Sequence, residues 1–253
     1  MKKFPINILF LMLISYTLLL FFGCIKESIK VEEEQKTFIV VGNHNNVSVT
    51  PIGDTLIGNY STVQYYQIDI DNDGTDDIEF ESYIPYPLGD APKPYTKIRL
   101  LNSNIEIFGY NKIDTTFLTY DTTIQTSSTS TFVHYNKRYR CNRISIYDSI
   151  ISSTSNFYIS PIDVGFNLNV QSQFDSKTFN LVSNEDYYFN VIYTSNDTSF
   201  VDVTNHKNNC YSFPLNQEKY IGIKFNNSNK LGWIKLNLIE KHKVYLIESA
   251  LQQ

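Results

Sequence analysis

The sequence predicts an all-β protein, an antiparallel β-sandwich or jelly roll, on three observations. Tyrosine (19 residues) and phenylalanine (17) are abundant beside many Ile, Val and Thr, and these are strand formers. Apolar and polar residues alternate with a period of two in many short stretches, the pattern of half-buried strands. No long stretch keeps a 3.6-residue period, so helices are not expected. The body of about 215 residues is compatible with one all-β domain.

At the N-terminus, Lys2 and Lys3 precede an apolar run from about Ile6 to Phe22, then Gly23 and Cys24. A positive head, an apolar middle and a small residue at the end make an export signal. With the cysteine directly after Gly23, the arrangement resembles a bacterial lipoprotein signal. That resemblance implies that residues 1–23 are removed and that Cys24 becomes the lipidated first residue of the mature chain. The alternative is an uncleaved N-terminal anchor, because the run is near the lower limit of a spanning helix. Both readings place the body outside the cytoplasm. Ile25, rather than Asp, follows the cysteine, and the same resemblance then implies the outer membrane, with the acyl chain on Cys24 as the membrane attachment. Lys26, Glu27 and Glu32 to Glu34 make residues 24–36 a charged tether, either a plain solvated linker or a surface-export signal. Residues 37–253 form the extracytoplasmic β domain.

Removing the signal takes two lysines and no acid, which leaves 19 basic against 26 acidic residues. An acidic body argues against nucleic acid as a partner. It also argues against peripheral binding to anionic lipid, so attachment falls to the acyl anchor.

Strands are expected at Thr37 to Val41 and Val47 to Thr50, split by the Asn-rich turn from Gly42 to Asn46. Val63, Tyr65 and Gln67 then alternate with Tyr66, Ile68 and Ile70, and after a turn Ile78 and Phe80 alternate with Asp77, Glu79 and Glu81. Between these two strands the chain reads Asp-Ile-Asp-Asn-Asp-Gly-Thr-Asp-Asp. Asp69, Asp71, Asp73 and Asp77 occupy positions 1, 3, 5 and 9 of a loop with Gly74 at position 6 and the Thr75 carbonyl at position 7. Calcium takes six to eight oxygen ligands in a flexible shell, and this spacing suits it. Gly74 permits the sharp bend because a residue without a β-carbon takes positive φ freely. Position 12, which would need a bidentate Glu in a helix–loop–helix hand, is Phe80. The stretch therefore reads as a strand, a structural calcium turn and a strand. It resembles the Asp-rich calcium loops of extracellular repeat proteins such as integrin-like propellers, although a single copy gives no propeller. The competing reading is an acidic hairpin turn, since Asp, Asn and Gly are ordinary turn residues.

Pro85, Pro87, Gly89, Pro92 and Pro94 mark a long irregular loop. Strands resume at Lys97 to Leu101 and Ile105 to Tyr110. Residues 114–131 are rich in Thr and Ser and read either as an exposed strand or linker, or as a site of O-glycosylation. In the second reading Asp114-Thr115-Thr116 and Asp121-Thr122-Thr123 resemble a bacterial acceptor motif, which Asp54-Thr55-Leu56 and Asp148-Ser149-Ile150 also match. Further strands are expected near Arg143 to Tyr147, Asn156 to Ile159, Gly165 to Val170, Tyr187 to Tyr193 and Phe200 to Val203. The last three are the clearest: Tyr220 to Phe225, Leu231 to Leu238 and Val244 to Ala250. Trp233, the one tryptophan, reads as core packing, with Gly232 giving the ring room. The Asp loop, the Tyr-Ile-Gly-Ile-Lys-Phe strand, the Gly-Trp strand and the closing Glu-x-Ala strand resemble a diffuse group of secreted bacterial β-proteins without an established activity. That resemblance implies fold and location and adds no mechanism.

With Cys24 lipidated, Cys141 and Cys210 remain, and two cysteines in an oxidising compartment are candidates for a disulfide. The alternative is two buried free thiols. No Gly-x-Ser-x-Gly elbow, His-Glu-x-x-His helix or phosphate-binding Gly loop occurs. His44, His134, His206 and His242 are scattered, and His206 with Cys210 alone is not a metal site. The expected function is a lipid-anchored, calcium-stabilised module that binds a glycan or protein ligand or serves structurally at the envelope. The alternatives are a surface polysaccharide hydrolase and an adhesin or pilus-like subunit. A hydrolase requires two converging carboxylates in a cleft away from the Asp loop.

Overall fold

Among the described residues the chain forms sixteen strands and no helix. The computed structural model describes residues 37–85, 94–126, 131–141, 146, 149–182, 185–193, 199–207 and 210–253, with backbone alone at 119–126, 131–140, 151, 185–193 and 199–207. The expected signal, Cys24 and the tether therefore lie outside the described residues. So do 86–93 of the Pro-rich loop and most of the strand expected at Arg143 to Tyr147.

In chain order the strands are β1 (Phe38–Val40), β2 (Val47–Ile57), β3 (Gln64–Ile68), β4 (Ile78–Tyr83), β5 (Tyr95–Leu100), β6 (Ile105–Thr126), β7 (Thr131–Arg140) and β8 (Ser149–Ile159). They continue as β9 (Asn167–Asn169), β10 (Phe174–Asp175), β11 (Phe179–Asn180), β12 (Glu185–Tyr193), β13 (Ser199–Lys207), β14 (Glu218–Phe225), β15 (Lys230–Glu240) and β16 (Lys243–Gln252). The main sheet has the order β10-β6-β14-β15-β16-β2, and the second has the order β11-β5-β4-β3. All pairings within these two sheets are antiparallel.

The two sheets pack as a sandwich because each turns one apolar row inward. Ile221, Ile223 and Phe225 of β14, Ile234, Leu236 and Leu238 of β15, and Val244 and Leu246 of β16 meet Ile68, Ile78, Phe80, Ile98 and Phe179 of the smaller sheet. Two inward polar side chains are satisfied across the gap. Ser82 Oγ donates to the His242 carbonyl at 2.8 Å, and Thr96 Oγ1 donates to the Lys241 carbonyl at 3.0 Å. Leu236 faces Leu246 while Lys235 faces Glu248, so β16 carries one extra residue, Ile247, opposite β15. Such a bulge reverses the alternation, so Leu251 faces the same core as Leu246 while Ala250 faces away.

The central strands are buried on both faces. On the far side of the main sheet Leu231, Trp233, Tyr220 and Ala250 pack against Ile39, Val41 and Leu168, which belong to the β1–β9 ribbon and its flank. Trp233 is fully buried there, its ring edge-on to Tyr220 with centroids 6.2 Å apart. Gly232, however, makes room for something other than the indole. A β-carbon at 232 would stand 2.3 Å from the Ala250 carbonyl oxygen and 3.1 Å from the Ile223 side chain. The glycine permits close strand pairing on the sandwich face, opposite the tryptophan.

β6 is the long element. Its first residues pair with β14 and β10 inside the sandwich, and the same strand runs out to pair with β8 from Gly109 to Leu118 and with β7 from Phe117 to Thr126. The Thr- and Ser-rich stretch is strand as far as Thr126. β12 and β13 form a separate antiparallel ribbon, and β13 runs beside β7. Residues Thr37–Gln253 make one compact unit by their internal contacts.

Candidate metal centre

β3 and β4 pair in register, Tyr66 opposite Phe80 and Ile68 opposite Ile78, and the Asp-rich segment is the turn between them. The flanks are strands, and Phe80 is wholly buried in the core. Position 12 therefore cannot serve as a ligand. Ile70 and Ile78 are both buried in the main core, so each end of the loop is held by apolar packing. The Asp77 N–H donates to the Ile68 carbonyl at 2.8 Å and closes the turn.

Asp77 is the organising residue. It is 1% exposed. Its Oδ2 accepts from the Ile70 N–H at 2.9 Å and its Oδ1 accepts from Asn102 Nδ2 at 2.9 Å. Its carbonyl accepts from the Leu101 and Asn102 N–H groups at 2.8 and 3.2 Å. The turn after β5 thus fixes the carboxylate from behind. Asp69 receives the Gly74 N–H on Oδ2 at 2.8 Å and the Asp73 N–H on Oδ1 at 3.3 Å. The Asp73 N–H also reaches Asp71 Oδ1 at 3.2 Å, and Asp73 Oδ1 accepts from the Thr75 N–H at 2.8 Å. Asn72 (φ 60°) and Gly74 (φ 90°) adopt the left-handed conformation, which turns successive carboxylates inward. A β-carbon at Gly74 would meet no neighbour within 4 Å, so the demand for glycine is conformational rather than steric.

Asp69, Asp71 and Asp77 each present an oxygen, and the three lie within 4.8 Å of one another. Oxygens that share one calcium at 2.3–2.6 Å stand no more than about 5 Å apart, so the spacing fits. Asp73 is not part of this group, and Thr75 is held through its N–H. Burial raises the Asp71 pKa, and the Asp77, Asp73 and Asp69 charges raise it further, while the Asp73 N–H opposes them. The folded chain therefore holds this proton more tightly than the unfolded chain. Without a cation Asp71 costs stability at neutral pH, and that cost disappears as the pH falls below its unfolded value.

No family model, no curated protein and no solved structure matches the chain.

The outer face of the β3–β4–β5 sheet holds the next carboxylates, and both are occupied. Arg99 donates Nε and Nη2 to Glu79 Oε1 at 3.0 and 2.7 Å, while Gln67 Nε2 donates to Oε2 at 2.9 Å. Glu79 holds the Arg99 proton more firmly still. Glu81 accepts the Tyr95 hydroxyl at 2.7 Å and pairs with Lys97 at 3.7 Å. A cavity of about 240 Å³ lies against residues 155–159 and 177–180, and no carboxylate lines it. Cys141 and Cys210 form a disulfide with Cα atoms 5.5 Å apart. His44 and His242 stand beside Glu248 and Glu240, at 3.6 and 3.5 Å; the side chains of His134 and His206 lie outside the described residues.

Proposed function

We propose that this is a lipid-anchored envelope protein whose β-sandwich is stapled by one calcium ion and acts as a binding or structural module. The observation that carries the reading is the convergence of the Asp69, Asp71 and Asp77 carboxylates on one point between two strands of the core. The residues that would hold the ion are these three, with Asp73 and the Thr75 carbonyl completing the shell after a small shift of the loop. A bound cation supplies charge neutralisation to a turn that carries six acids within eleven residues. It performs no chemistry in this reading. Extracellular calcium modules bind at about 10⁻⁴–10⁻³ M, which matches a site filled by external calcium. Attachment through acylated Cys24 to the outer membrane belongs to the same proposal, as does a glycan or protein ligand.

The end strand β2 carries Pro51 and a positive-φ Gly53, which blunt strand addition and weigh against a pilus-like subunit. The test is a pair of thermal melts of the full-length chain in detergent, with calcium and with EDTA. Calcium is expected to raise the Tm of the native chain, and Asp71→Ala combined with Asp73→Ala is expected to abolish the difference. Identical melts of the native chain in both buffers would sink the reading.

A further inference from the structure

The Cys141–Cys210 disulfide lies where four pieces of chain meet. Cys141 follows the last residue of β7, and Cys210 begins the segment that leads into β14, 69 residues on. The Cys210 N–H donates to Tyr158 Oη at 3.3 Å, and Tyr158 donates in turn to Asp114 Oδ2. Asn156 Nδ2 donates to the same carboxylate oxygen at 2.7 Å. The Tyr211 ring stacks on Tyr158 with centroids 5.0 Å apart and planes 23° from parallel. One covalent bond, one buried carboxylate and one ring stack therefore join β6, β7 and β8 to the chain entering the sandwich.

Little else among the described side chains holds that region. Among the described side chains, none of β6 beyond Phe108 and none of β8 before Phe157 belongs to either apolar core. Further out, Ile113 and Ile150 are 68% and 65% exposed. The polar cluster is also incomplete in itself, because Asp114 Oδ1 and Tyr211 Oη are buried without a hydrogen-bond partner. Unpaired buried polar groups oppose the arrangement they sit in. Beside the β6–β8 and β6–β7 ladders, the covalent bond is the strongest tie between this region and the chain entering the sandwich.

We infer that the disulfide is a redox latch on this outer ribbon. Both cysteines are partly exposed, so a dithiol reductant can reach them. Its thiolate attacks one sulfur of the bridge and its second thiol completes the exchange. The S–S bond breaks, Cys141 and Cys210 each end as a protonated thiol, and the reductant leaves as a disulfide. The outer half of β6 then opens together with β7, the first part of β8, β12 and β13, while the two-core sandwich stays folded. An oxidising compartment keeps the latch closed.

Hydrogen exchange of the full-length chain, with and without dithiothreitol, tests this. Amides of β7, β12, β13 and residues 119–126 of β6 are expected to exchange at least about tenfold faster after reduction, with β3 to β5 and β14 to β16 unchanged, as sub-global opening requires. The Cys141→Ser, Cys210→Ser double variant is expected to show the fast pattern in both conditions. Unchanged exchange on reduction, or equal acceleration in every strand, overturns the proposal.

Discussion

Trp233→Ala is expected to destabilise the protein by about 3–5 kcal/mol, the cost of removing a large aromatic side chain from a closed core. The indole is fully buried between the main sheet and the β1–β9 ribbon, edge-on to Tyr220. The main sheet cannot close the space, because β14, β15 and β16 are held on their other face by the sandwich core. The indole Nε1–H is buried without a partner, a desolvation cost that the apolar burial outweighs. The variant should unfold at lower urea with an unchanged slope, which separates lost stability from a changed unfolded state. Circular dichroism is the readout, since the substitution removes the one tryptophan. Trp233 faces the core away from the Asp loop, so the calcium response is expected to survive. A loss below about 1 kcal/mol would mean that this second core does not hold the ribbon to the sheet.

Asp77→Ala is expected to cost about 2–4 kcal/mol even in EDTA, because it leaves the Ile70 N–H and Asn102 Nδ2 without their acceptor in a buried place. Asp71→Ala in EDTA is expected to be neutral or slightly stabilising. That side chain is largely at the surface, and its removal relieves both the partial desolvation and the carboxylate repulsion that raise its pKa. In calcium both variants are expected to lose the stabilisation given by the ion. Denaturant titrations of the two variants in EDTA provide the comparison. Equal losses for both would show that Asp77 is not the structural member of the set.

The sandwich and its central strands were legible because their signals are local and redundant. Ile221, Ile223 and Phe225 alternate with polar or small residues, and the Leu231 to Leu238 strand alternates two apolar rows, each with its own core. The turn between β3 and β4 was legible for the same reason, since a run of Asp, Asn and Gly between two alternating stretches is a short-range signal. Other features depend on partners distant in sequence. Gly232 answers to Ile223 and Ala250 rather than to its neighbour Trp233, a relation that only strand register reveals. The outward run of β6 past Tyr110 is rich in Thr and interrupts its apolar residues with polar ones on both faces, so its period was faint. β10 and β11 are two residues each, too short to show any period. The burial of Asp114 and its contact with Tyr158 follow from the pairing of β6 with β8 and leave no mark on the segment itself.

The hold of the Asp loop on one cation is tested most directly by calorimetric titration of calcium into the metal-free, full-length chain. One ion per chain with a Kd of about 10⁻⁴–10⁻³ M is expected, and no binding to the Asp71→Ala, Asp73→Ala variant. Absence of binding in the native chain up to about ten times that concentration, or undiminished binding in the variant, would contradict the account.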